Sequence, residues 1–291
     1  MANILRMDLY RLVHGKSLWI MLAIVVAISV MSVGMMAYIA GPEFAATLQS
    51  ASANGPGSFH VGIAVEGSPD ASDLEDIAEA GSMMTSGMTA EALVGTMFLN
   101  GGGLAVIFVI FIAIFLTAEF ESGFSKNVFT VQPNRLAFLA ARTIEVVVLA
   151  AAFTVVTTVA TIAMAFATGI VLAPLQPVDL LLWGALVTLG LAGFGMLTAL
   201  VAWVTRKMTA SLVAGILLGA GLATLLVQGF VLLVPSASFL ANFTLSACLA
   251  SLSHGVGAAA ILSSPHIALV SFAFIALCAV AGGIALQKKD I

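Results

Sequence analysis

TAEFESGFSKNVFTVQPNRLAFLAAR, residues 117–142, is the stretch whose reading decides the fold. It lies between two long apolar runs and is one of few places where acidic and basic residues mix. Glu119 and Glu121 open it, Gly123 turns it, Lys126 follows, Pro133 breaks it, and Arg135 and Arg142 close it. If the flanking runs cross a bilayer, the stretch is a polar connection held at the membrane surface. There it can serve as a handle by which a soluble partner moves the spans.

Composition supports that premise. Hydrophobic residues make up 61% of the 291 and charged residues only 8%, where a soluble domain carries about a quarter charged. Lipid is the natural solvent of such a chain. Its net charge of −4 says less than the placement of the charges. Cys248 and Cys278 stand in separate apolar segments with no CxxC spacing, so they read as packing residues rather than a disulfide or a metal site.

Outward from the central stretch, the N-terminus comes first. Residues 1–16 place Ile4, Leu5, Leu9, Leu12 and Val13 at helical spacing among Arg6, Asp8, Arg11 and Lys16, the pattern of an interfacial amphipathic helix. Residues 17–39 then run uncharged. At helical rise that is roughly 35 Å, enough to cross the hydrocarbon. The run is too long for the apolar core of a signal peptide and reads as a retained anchor.

Residues 41–97 are a different material, expected to form an extracytoplasmic loop. Between Gly41 and Gly103 stand Glu43, Glu66, Asp70, Asp73, Glu75, Asp76, Glu79 and Glu91, with no Lys or Arg. Ser68-Pro69-Asp70 looks like a helix start, and Thr89 is placed to cap another helix running to Phe98. Further spans are expected at 98–118, 144–167, 180–204, 210–234 and 267–286, with a connecting loop at 119–142.

Within the outer segment 235–266, Phe239 to Leu262 is uncharged and long enough to span, but it carries Asn242, Ser246, Ser251, Ser253 and His254 between Pro235 and Pro265. Charge placement decides how they are read. With six spans, Arg6, Arg11, Lys16, Lys126, Arg135, Arg142, Arg206, Lys207, Lys288 and Lys289 all fall on one side, which the positive-inside rule makes the cytoplasm. A seventh span would put the last two outside. The segment therefore reads as a pair of re-entrant or interfacial short helices, tolerated where protein or water surrounds the backbone. The expected fold is an all-α integral membrane protein, a single permease domain over 1–291 with both termini cytoplasmic.

The chemistry-bearing motifs are sparse. Gly15-Lys16-Ser17 resembles the tail of a phosphate-binding loop, but Tyr10 occupies the first glycine position and a membrane span follows at once. The four histidines, His14, His60, His254 and His266, are scattered. Ser253-His254 is no hydrolytic pair, since helix neighbours do not face one another. No catalytic, cofactor or metal site is expected in this chain. Mid-membrane ionisable residues, the usual mark of an ion-coupled route, are absent; Glu145 lies one turn from Arg142, where a local pair is expected, and Asp179 sits at the outer edge of the fourth span. Gly215 and Gly219 form a GxxxG, read as packing within the subunit.

Taken whole, the chain resembles a permease subunit of type-2, export-class ABC transporters, in the branch related to bacitracin-resistance and lantibiotic-immunity permeases. The resemblance rests on the amphipathic start, the large outer loop, Glu119-Phe120-Glu121-Ser122-Gly123 at the end of span two, Pro133-Asn134-Arg135, the basic Arg142, and the Lys288-Lys289-Asp290 ending. Gly123-Phe124-Ser125-Lys126 departs from the family's Gly-Thr-basic pattern, and Arg142 stands where lysine is usual.

The resemblance implies that residues 121–131 form a coupling helix docking on a separate ATP-binding subunit, which holds the ATP and magnesium. Phe124, Val128 and Phe129 would be the apolar docking surface, Glu119, Glu121 and Lys126 the charged contacts, and Gly123 the turn. It also implies a second permease subunit, identical or not, a bacterial cell membrane as the setting, and an amphiphilic cargo such as a membrane-active peptide, a lipid-like compound or a drug. The alternatives are an ion-coupled secondary transporter and a non-transporting membrane scaffold or sensor.

Overall fold

The computed structural model describes residues 2–41, 43–44, 47, 87–121, 135–256 and 261–288, and every regular element among them is helical. The expected helix start at Ser68 lies outside these residues.

The N-terminal helix α1 (Ala2–His14) ends at Gly15, and α2 (Lys16–Ile39) follows directly. The Trp19 indole donates to the Val13 carbonyl at 2.8 Å, which satisfies a free acceptor at the end of α1. Thr89 caps α3 (Ala90–Val94) by accepting from the Ala92 amide at 3.2 Å, and a π-helical turn (Gly95–Leu99) continues it. After a break at Gly101 and Gly102, both at positive φ, α4 runs Gly103–Glu121. The second span thus starts five residues later than position 98, because the π turn and the glycines interrupt the helix.

The third long helix, α5 (Arg135–Thr168), differs more from expectation. It begins nine residues before 144, so the connecting loop shrinks from 119–142 to the residues between Glu121 and Arg135. Pro133 explains the boundary, since the residue before a proline avoids the helical region. The charges of Arg135 and Arg142, which suggested loop, are carried on helix instead.

α6 (Pro177–Thr205) follows a short turn, with proline in its first turn and Asp179 beside it. It ends at Arg206, which adopts the left-handed conformation and donates its amide to Ala202 at 2.8 Å. α7 (Met208–Gly219) and α8 (Leu222–Leu233) form one apolar run bent by 56° at Gly219–Gly221. A 3-10 helix (Pro235–Phe243) and α9 (Leu245–Leu252) occupy the segment before the last long helix, α10 (Ser264–Lys288).

Among the described residues, five helices are long and apolar enough to cross a membrane, and the bent pair makes up to six. The spans differ in how far they are enclosed. In α6, 67% of the most apolar window is buried, against 17% in α2. α6 is accordingly the hub, packing against α10, α5, α7, α4 and α9. Trp183, Trp203, Phe108, Phe111 and Phe153 fill the interior. Outward, α2 exposes Trp19, Met31 and Met35, α8 exposes Leu232 and Leu233, and α10 exposes Leu269 and Leu277. An apolar exterior over an apolar core is the arrangement of a helix bundle whose solvent is hydrocarbon.

Gly215 and Gly219 turn inward. A Cβ at Gly215 would meet Thr198 at 3.1 Å, and one at Gly219 would meet the Val106 backbone at 3.2 Å. The GxxxG brings α7 against α6 and α4 within one chain. Three hydroxyls of α5 inside the bundle are satisfied locally: Thr154, Thr157 and Thr161 each donate to the carbonyl four residues back.

Candidate functional site

The residues that close the interrupted stretch meet at one end of the bundle. α4 delivers Glu119 in its last turn, α5 delivers Arg142 and Glu145 one turn apart, and α1 packs against α5 and brings Arg11. Arg142 Nη2 forms an ion pair with Glu119 Oε1 at 2.9 Å. Arg11 Nη2 donates to the same oxygen, and Arg142 Nη1 donates to Glu145 Oε2.

Three of the four side chains are sealed: Arg142 is 1% exposed, Glu119 3% and Glu145 1%. Arg11 reaches in from the rim. Two aromatic rings complete the enclosure, with the Arg142 guanidinium 5.1 Å from the Phe138 centroid and the Arg11 guanidinium 5.3 Å from that of Phe115. A charge buried at such depth is tolerated only when paired, and here two guanidiniums meet two carboxylates with no net charge left over. The ring faces add cation–π attraction.

What the arrangement can do follows from its chemistry. A guanidinium holds its proton at any pH a protein meets, so this cluster is a poor acid or base. It is an electrostatic clamp. It fastens α1, α4 and α5 to one another at the two points where the chain leaves for, and returns from, residues 122–134.

Glu119 is therefore held inside the bundle end rather than presented as a surface contact. Glu121 closes α4, with its side chain outside the described residues. Gly123, Phe124, Lys126, Val128 and Phe129 also lie outside the described residues. The local pair of Arg142 and Glu145 was legible from their spacing; the roles of Arg11 and Glu119 were not, because 108 positions separate them.

At the other end, the bend between α7 and α8 opens a cavity of about 410 Å³. Gly102, Gly219, Thr224, Gln228, Asn242 and Ser246 contribute to its wall, alongside Leu99 and Phe194. Thr224 donates to Thr244 at 3.0 Å, tying α8 to the cap of α9. An apolar cavity with a few converging polar groups is the usual form of a small-molecule site. The motifs set aside in the sequence take structural places: Gly15 joins two helices, Ser253 donates to the Ala250 carbonyl at 2.6 Å, and Cys248 and Cys278 are buried free thiols.

No protein-family model matches the chain, and no curated protein matches it. Function must be argued from the site.

Proposed function

We propose that this protein is the membrane-spanning permease subunit of an ATP-driven exporter of the type-2 ABC class. One observation carries the reading: the Arg11–Glu119–Arg142–Glu145 clamp brackets residues 122–134 and binds three helices into one mechanical unit. A connection built this way transmits displacement, which is what a coupling element needs.

In this reading residues 121–131 dock on a cytoplasmic ATP-binding subunit through Phe124, Val128 and Phe129, with Glu121 and Lys126 as charged contacts and Gly123 as the turn. The partner holds ATP and magnesium; this chain performs no catalysis. A second permease subunit completes the assembly in a bacterial cell membrane. Closure of the ATP-binding subunits favours one arrangement of the spans, and hydrolysis releases it, so the cycle follows from differential binding to two states. Cargo moves along the face shared by α4 and the α7–α8 run. The cavity at their bend, with its mixed lining, suits an amphiphile.

The test is co-purification from the native host with a P-loop ATPase encoded nearby. The Phe124→Asp, Phe129→Asp double variant should insert normally yet lose the ATPase. Undiminished association would refute the docking assignment.

A further inference from the structure

A second crevice, of about 330 Å³, lies at the end of the bundle away from the arginine clamp. Three elements that are remote in sequence build it: the start of α3, the turn into α6, and the segment after α9. Their titratable groups are Glu91, Asp179 and His254. Hydrogen bonds fix the elements together, with the Ala173 amide donating to the Met88 carbonyl at 3.0 Å and the Trp183 indole to the Leu252 carbonyl at 2.8 Å. Gly95 and Ser253 approach so closely that a Cβ on the glycine would lie 2.5 Å from the Ser253 Cα. The crevice is a constructed feature of the fold, not a gap between loose turns.

Glu91 is its anomaly. Its side chain lines the crevice and the residue is 7% exposed, yet among the described residues its carboxylate has no hydrogen-bond or ion-pair partner. A Cβ at Gly255 would stand 3.9 Å from the Glu91 Cβ, so the carboxylate stem is packed against backbone. Its oxygens open only onto the crevice, so a cation entering there meets a carboxylate with little water to displace.

No lysine or arginine answers it. No Lys or Arg occurs between Lys16 and Lys126, between Arg142 and Arg206, or between Lys207 and Lys288. Those three intervals contain the described segments that build this crevice. Asp179 adds a second carboxylate to the wall, which deepens the deficit.

We propose that this crevice is a binding site for the ammonium group of an organic amine. The ammonium donates to the Glu91 carboxylate, Asp179 supplies long-range attraction, and the His254 ring closes the wall. An ammonium is compact and carries three donors, which suits a carboxylate reached through a narrow opening. The amine is either a water-soluble molecule or the headgroup of an ethanolamine lipid in the adjoining leaflet. The site stands whether or not the protein transports anything.

The experiment is calorimetric titration of the full-length protein in phosphatidylglycerol nanodiscs with n-butylammonium chloride at fixed ionic strength. Wild type should bind saturably at one site per chain. Glu91→Gln, nearly isosteric, should bind about tenfold to a hundredfold more weakly. Val256→Trp, which fills the crevice without touching the charge, should block binding while leaving the thermal unfolding temperature near that of wild type. Repeating the titration in nanodiscs containing phosphatidylethanolamine separates the sources. Competition there identifies the lipid headgroup, and unchanged binding identifies a soluble amine. Absence of saturable binding, or equal binding by Glu91→Gln and wild type, overturns the proposal.

Discussion

Arg142 shows how much one residue can hold. Its guanidinium bridges Glu119 and Glu145 while 1% exposed, so removing it takes the cation from Glu145 in a sealed space and leaves Glu119 to Arg11 alone. Arg142→Met should destabilise the protein by about 3–5 kcal/mol, the range for breaking a buried pair from one side. Thermal unfolding in detergent, followed by tryptophan fluorescence, measures it. Adding Glu145→Gln should restore much of the loss, because Glu119 keeps Arg11 and the neutral amide needs no counter-charge. A double variant no more stable than the single one would mean that packing, not charge balance, dominates there. Half of this cluster was legible in the sequence. Arg142 and Glu145 stand three apart on one helix, where spacing alone places them on one face. Arg11 and Glu119 meet only because α1 folds back across the ends of α4 and α5, and no local pattern encodes that. Glu91 was hidden for a similar reason. Among eight acidic residues in an uninterrupted acidic stretch it read as solvated, and only the tertiary fold encloses it.

At the scale of elements, the bent α7–α8 run matters most. α7 has 12 residues, or about 18 Å, and the bend comes before a hydrocarbon layer of about 30 Å has been crossed. The sequence could show that residues 210–234 are apolar throughout, but apolarity does not distinguish a straight span from a broken one. The break depends on Gly221 at φ 91° and on the close fit of Gly102 against Gly219. Gly102 has φ 75°, and a Cβ there would lie 2.2 Å from the Gly219 carbonyl oxygen. Gly102→Ala therefore meets both a conformational and a steric penalty, together about 2–4 kcal/mol. Gly101 is the control, with φ 85° and open space around its missing side chain. Gly101→Ala should lose only the conformational part, about 1–2 kcal/mol. The difference between the two unfolding midpoints reads out the contact itself. Equal losses would show that the bend does not depend on this approach.

For the whole molecule, the controlling feature is polarity of charge from end to end. The helix order carries Arg11, Arg142 and Lys207 to one end, while Glu91 and Asp179 sit at the other. The long apolar helices were legible because their length and composition are set by the solvent they cross. Their mutual arrangement was not, since lipid-facing and core-facing residues are equally apolar. In the proposed function sidedness links the clamp to an energy source, and it can be tested without knowing the cargo. Cysteines placed at Lys126 and Lys207 should resist a membrane-impermeant maleimide in intact cells and react after permeabilisation. A cysteine at Val178, which is 75% exposed at the opposite end, should react from outside. The native thiols do not interfere at the labelling pH. Burial raises the Cys248 thiol from about 9 to about 11, and it remains protonated at pH 8. The folded state keeps that proton while an unfolded chain would release it. Stability from this thiol is thus complete below pH 9 and declines as pH climbs toward 11. Background labelling should appear only there or after denaturation. Reaction of the Lys126 cysteine from outside would invert the bundle, place residues 122–134 beyond reach of any ATPase, and leave the clamp without a force to transmit.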